Sequence, residues 1–196
     1  MRIGVLGGTF DPVHAAHLAM ARAARKVLKL DLVLLVPARI SPFKKGRPTP
    51  ARHRLAMVRT AAGKIPWLKV ATLELRRPAP SYTVDTLKVL KKRFSKGSEL
   101  HLLIGADSAK HFHKWKSYKE INKLSTIHFF ARPGSEVPRG MHRIPMRSIA
   151  VSASMLRASL AGDHRPPAGG IPGVLAYARK HRLYLRDSRP ARENPR

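Results

Sequence analysis

Two histidines, His14 and His17, follow the run Gly7-Gly8-Thr9-Phe10-Asp11-Pro12. Three residues apart at the start of a helix, they project from one face, where their ring N–H groups could meet the oxygens of a triphosphate. The glycines let the backbone approach a ligand closely. The run is neither a Walker A loop nor a G-x-G-x-x-G turn, so those two phosphate-binding readings lose their main support. On spacing alone a His-x-x-His pair is more often surface polarity, or rarely a metal pair, and Asp11 reads as a plain helix cap. A second group lies late in the chain: Ser152 and Ser154 open a helix and Arg157 follows. That group is an anion site at a helix N-terminus or an ordinary cap beside a solvated arginine. Between the two groups, Asp107 follows Ile104-Gly105 and could cap the next helix, while Trp115 reads by itself as a core or rim aromatic.

Composition narrows the chemistry further. The chain has no cysteine, which excludes a disulfide framework, a thiolate nucleophile and Cys-ligated zinc or iron–sulfur sites. Its 39 Lys and Arg against 11 Asp and Glu give a net charge of +28, which draws polyanions but does not tell nucleotide from nucleic acid or membrane surface. No stretch reaches the roughly 18 apolar residues of a membrane span, and Asp11, His14 and His17 break the most apolar early segment. A cytoplasmic globular protein without a membrane partner is expected.

The elements that must position these residues alternate. Residues 2–6 read as a buried strand, followed by a helix from about Val13 to Leu30 with Asp11 as its cap. A strand at 31–37 precedes a helix announced by Thr49-Pro50 and running to about Ala62. Further strands are expected at 70–75, 99–105 and 126–132, and further helices at about 83–94, from Ser152, and from Pro172 to about His181. Short apolar runs alternating with helices predict an α/β fold, a doubly wound parallel sheet covered on both faces. Its ligand would sit beyond the carboxyl ends of the strands. Residues 1–185 form one domain in this reading, and the basic tail 186–196 is expected to be disordered.

Four segments in order carry a resemblance. Gly7-Gly8-Thr9-Phe10-Asp11-Pro12 with His14 and His17 resembles the H-x-G-H motif of the nucleotidylyltransferase superfamily. Ser81-Tyr82-Thr83-Val84-Asp85-Thr86-Leu87, Ile104-Gly105-Ala106-Asp107 with Trp115-Lys116, and Val151-Ser152-Ala153-Ser154-Met155-Leu156-Arg157 are similar to segments of bacterial nicotinate-nucleotide adenylyltransferases. The resemblance spans about residues 1–185 and implies a Rossmann-like nucleotidylyltransferase fold. It implies transfer of AMP from ATP, with Mg2+, to nicotinate mononucleotide, releasing pyrophosphate. His14, His17 and Arg157 would be the catalytic residues. Gly7, Gly8, Thr9, Phe10, Asp11, Lys44, Gly105, Asp107, Ser152 and Ser154 would bind ATP. Thr83 or Thr86, Trp115 and Tyr118 would bind the mononucleotide, and no dedicated protein metal site is implied. The chain departs from the family pattern at Ala16, where a glycine is usual, at Phe43, where a histidine is usual, and at Ala153, where a small hydroxyl residue is usual. The phosphopantetheine adenylyltransferase branch shares the first motif but lacks the Ser81–Leu87 type of segment. The other alternative is a nonspecific RNA-binding protein on the same scaffold. No specific nucleic acid is expected as a partner, and a homo-oligomer is compatible with the sequence.

Overall fold

The computed structural model describes residues 1–43, 46–94, 97–131, 139–147, 149–162 and 164–185. Strand β1 (Arg2–Gly8) leads to helix α1 (Ala15–Leu28), then β2 (Leu32–Pro37), α2 (Ala51–Ala62), the short β3 (Leu68–Val70) and α3 (Thr83–Arg93). The second half runs β4 (Glu99–Gly105), α4 (Ala106–Lys110), a single 3-10 turn at Phe112–Lys114, α5 (Tyr118–Leu124), β5 (Thr126–Phe130), β6 (His142–Ile144), α6 (Ala153–Ala161) and α7 (Pro172–Lys180). The six strands form one sheet in the order β3-β2-β1-β4-β5-β6, and every neighbouring pair is parallel. This is the expected doubly wound α/β sheet.

Alternation along the strands builds two cores. Leu6 and Leu103 point to the face covered by α1, α2, α6 and α7, where Ala21, Met57, Leu156 and Val174 are buried. Ile3, Val5, Leu102 and Ile104 point to the other face, against Leu87 of α3 and Ile121 of α5. Chain order reverses between β1 and β4, so their carboxyl ends open a crevice at the point where such sheets bind ligands.

Several boundaries differ from the sequence reading. The strand expected at 70–75 is instead the three residues of β3, because the chain turns after Val70, with Leu75 N–H bonded to the Thr72 carbonyl. Helix α1 starts two residues later than expected and its N-cap is His14, not Asp11. The Asp11 carboxylate accepts instead from the Thr49 N–H at 3.0 Å and from the Tyr184 hydroxyl at 2.7 Å. Ser152 does cap α6, accepting from the Met155 N–H at 3.1 Å. Lys44, Arg132 and the tail 186–196 lie outside the described residues.

Candidate active site

A cavity of about 870 Å³ occupies the crevice above β1 and β4. On its β1 side stand Gly7, Gly8, Thr9, His14, Ala16 and His17. A Cβ on Gly7 would meet nothing within 4 Å, whereas one on Gly8 would press on the buried Phe10 ring at 3.1 Å. The bare backbone at Gly7 therefore leaves room for a ligand, and Phe10 acts from below as packing, outside the lining.

The two histidines form a defined pair. Their ring centroids are 3.8 Å apart, and the His14 N–H donates to His17 Nδ1 at 3.2 Å. A nitrogen that accepts carries no proton, so the His17 proton sits on Nε2. His14 is buried, which pushes its pKa down to about 4, and its Nδ1 has no hydrogen-bond partner among the described residues. Near pH 7 the His14 ring is thus neutral, and both rings are held at a helix N-terminus whose dipole favours an anion.

Other walls come from further segments. Gly105 and Asp107 line the cavity at the end of β4, and Val151 and Ser152 line it at the N-terminus of α6. Ser154 is exposed beside them, its hydroxyl 2.9 Å from that of Ser152. Tyr82, Thr83 and Thr86 reach the lining from the start of α3, and Trp115 and Lys116 from the chain after α4. Phe43 stacks on Trp115 with ring centroids 5.9 Å apart, so the residue that departs from the family pattern is in ring contact with the tryptophan. Tyr118 lies apart from the lining and packs edge-on to Phe112.

Arg157 also stands behind the lining: its Nη1 donates to the Asp11 carbonyl at 2.7 Å, tying α6 to the loop that carries the histidines. The same loop is held from below by Arg54, 1% exposed, whose guanidinium donates to the carbonyls of Thr9, Ala38, Arg39 and Thr49 at 2.7 to 3.0 Å. Burial lowers the Arg54 pKa, and the nearby Asp11 carboxylate opposes that shift. The Tyr184 hydroxyl, pushed up by burial and by Asp11, completes the clasp from the far end of the chain.

With this geometry in view, the comparisons with known proteins are specific. The cytidylyltransferase-like family model matches residues 5–159. A probable nicotinate-nucleotide adenylyltransferase of Chromobacterium violaceum is 38% identical over 211 residues, covering 93% of this chain and 98% of its own. Its counterpart in Solibacter usitatus is 37% identical over 189 residues, covering 94% of this chain and all of its own. This chain belongs to the nicotinate-nucleotide adenylyltransferase family. The fold agrees with a solved family structure, Plasmodium falciparum nicotinic acid mononucleotide adenylyltransferase complexed with NaAD: the TM-score is 0.76 at 18% identity, over 93% of this chain and 97% of that one.

The motif segments line part of this cavity, and other residues, not singled out by the sequence reading, pack behind or beside them. Arg54 sits on the stripe of α2 that buries Met57, Val58 and Ala61, and an arginine three, four and seven residues before core positions was a readable signal. Glu74 is 7% exposed and lines the cavity, and burial raises its pKa. It accepts from Thr86 Oγ1 at 2.7 Å, and Arg77 Nη2 donates to that same oxygen at 2.5 Å. Lys116 places its Nζ 4.2 Å from the centre of the Tyr82 ring, beside the start of α3. Nothing in the local sequence announces the Glu74–Thr86 and Lys116–Tyr82 contacts, because neither pair lies within one regular element.

Proposed function

We infer that the cavity transfers the adenylyl group of ATP to nicotinate mononucleotide, giving nicotinate adenine dinucleotide and pyrophosphate. The observation that carries this reading is the hydrogen-bonded His14–His17 pair at the β1 carboxyl end, beside the bare Gly7 backbone and opposite the Ser152 cap. The mononucleotide phosphate attacks the α-phosphorus, and the bond to the bridging oxygen of pyrophosphate breaks. That chemistry needs alignment of the two oxygens and donors where negative charge collects. His17 donates through Nε2 and His14 through its ring N–H, both to phosphate oxygens. The first turn of α6, with Ser152 and Ser154, holds the leaving pyrophosphate. Arg157 adds its charge from behind the loop, and Lys44 adds a further phosphate contact.

Mg2+ enters with ATP. Asp107, the exposed carboxylate lining the cavity, would be the residue placed to meet the ion, which would neutralise charge on the phosphates.

The pyridine ring stacks on Trp115, and its carboxylate meets the Thr83 hydroxyl and the first-turn N–H groups of α3. Thr83 is favoured over Thr86 because the Thr86 hydroxyl proton is already given to Glu74. An amide substrate would set its NH2 against donors, which leaves buried polar groups unpaired. Pyrophosphate release with the acid and the amide mononucleotides tests this reading. The acid is expected to be at least about tenfold more efficient, roughly 1.4 kcal/mol; no turnover with either would reject it.

A further inference from the structure

The chain carries a net charge of +28, and the acids that offset it are unevenly placed on the two faces of the sheet. The four helices on one face of the sheet, α1, α2, α6 and α7, contain no Asp or Glu. The opposite layer carries Asp85, Asp107 and Glu120. On these helices Arg52 and Arg59 of α2 and Arg179 and Lys180 of α7 are exposed, and α1 adds Arg22, Arg25 and Lys26.

Aromatic surface lies among these charges. Where α2 meets α7, Tyr177 and His181 have ring centroids 4.2 Å apart, and His53 lies 5.3 Å from His181 with its Nδ1 3.1 Å from the Tyr177 hydroxyl. His181 is exposed, and Tyr177 and His53 are half-buried. On the same layer Arg25 covers the ring of Trp67 at 5.0 Å. Lys and Arg attract any polyanion, but flat rings set between them are what the bases of a single strand stack on. A membrane surface would want an apolar stripe to insert, and the apolar stripes of α2 and α7 are spent on the core.

We propose that the α2–α7 face, with Arg52, Arg179 and Lys180 around the His53–Tyr177–His181 stack, is a sequence-nonspecific binding surface for single-stranded nucleic acid, separate from the nucleotide cavity. Phosphodiesters pair with the cations and one or two bases stack on the rings. RNA and DNA share this chemistry.

The test titrates the full chain into labelled oligo-rU and oligo-dT at 50 to 300 mM salt, with phosphatidylserine vesicles in parallel. Binding to either strand should weaken steeply with salt, and the tighter of the two identifies the natural strand. The triple variant Arg52→Glu, Arg179→Glu, Lys180→Glu should lose at least about tenfold in affinity near 100 mM salt, with the log–log salt slope shallower by about 2. Lys92→Glu, Arg93→Glu, Lys123→Glu makes the same change of net charge on the opposite layer and should cost less than about threefold. Tyr177→Ala should weaken binding about fivefold or more, leaving the slope unchanged. Pyrophosphate release by each variant checks that it folds. Equal losses from the two triple variants, tighter binding to vesicles than to either strand, or no binding at 100 mM salt would overturn the proposal.

Discussion

His17 illustrates how one hydrogen bond sets a chemical role. Because its Nδ1 accepts from the His14 N–H, its ring proton sits on Nε2, the nitrogen that the proposed function uses as a donor. His17→Ala removes a donor that matters most as charge builds on the phosphates, so kcat should fall by about a hundredfold or more while KM for ATP changes far less. A raised KM with kcat intact would instead assign His17 to ground-state binding. Thr83 and Thr86 are separable in the same way. Thr83→Ala should narrow the acid-to-amide efficiency ratio by about threefold or more. Thr86→Ala, which breaks the Glu74–Thr86–Arg77 chain, should chiefly lower stability, by about 1 to 3 kcal/mol in urea titrations, because it leaves a buried carboxyl short of a partner.

At the scale of elements, the loop between β1 and α1 is held by parts of the chain remote in sequence. Arg54 from α2, Arg157 from α6 and Tyr184 beyond α7 all converge on residues 9–11. Arg54→Met should cost about 2 to 4 kcal/mol, since four carbonyls lose a charged donor; Tyr184→Phe should cost about 1 kcal/mol, both measured as shifts in the urea midpoint. A Tyr184→Phe enzyme with lowered kcat and unchanged stability would mean the clasp positions the histidines more than it stabilises the fold. This convergence also explains what could be read in advance. Strands β1, β2, β4 and β5 were legible because buried parallel strands are continuous apolar runs, and α6 because Ser152 carries a cap signal. β3 was misplaced because Val70 to Leu75 alternates apolar and polar residues as a strand would, and only the turn that seats Glu74 ends the strand early. β6 and the short α4 and α5 went unread: three to seven residues hold too little periodicity, and tertiary packing decides them. The motif residues facing the cavity could be named from the resemblance, whereas Arg54 and Glu74 take their roles from contacts made outside their own elements.

For the whole molecule, burial of histidines couples stability to pH. His14 and His128 are held down to about 4, and His101, whose Nδ1 lies 3.0 Å from His128 Nε2, is lowered too, in each case chiefly by burial. In the unfolded chain these groups titrate near 6.5. Below that pH the unfolded state takes up protons that the native state refuses, so native stability falls as pH drops from about 6.5 towards 4. Glu74, raised by burial, acts in the opposite sense as a single group. Thermal unfolding should therefore show Tm lower by several degrees at pH 5 than at pH 7, at about 2 to 4 °C for each kcal/mol lost. His128→Gln should reduce that drop, and a Tm that holds or rises on acidification would contradict the assignment.

The most direct test of the central claim is the rate at which purified protein converts ATP and nicotinate mononucleotide, with Mg2+, into nicotinate adenine dinucleotide and pyrophosphate, for the native chain and for His17→Ala. Equal amounts of the two products, formed by the native chain and slowed about a hundredfold or more by the substitution, are the predicted result. Absence of the dinucleotide from the native reaction, or its undiminished formation by His17→Ala, would contradict it.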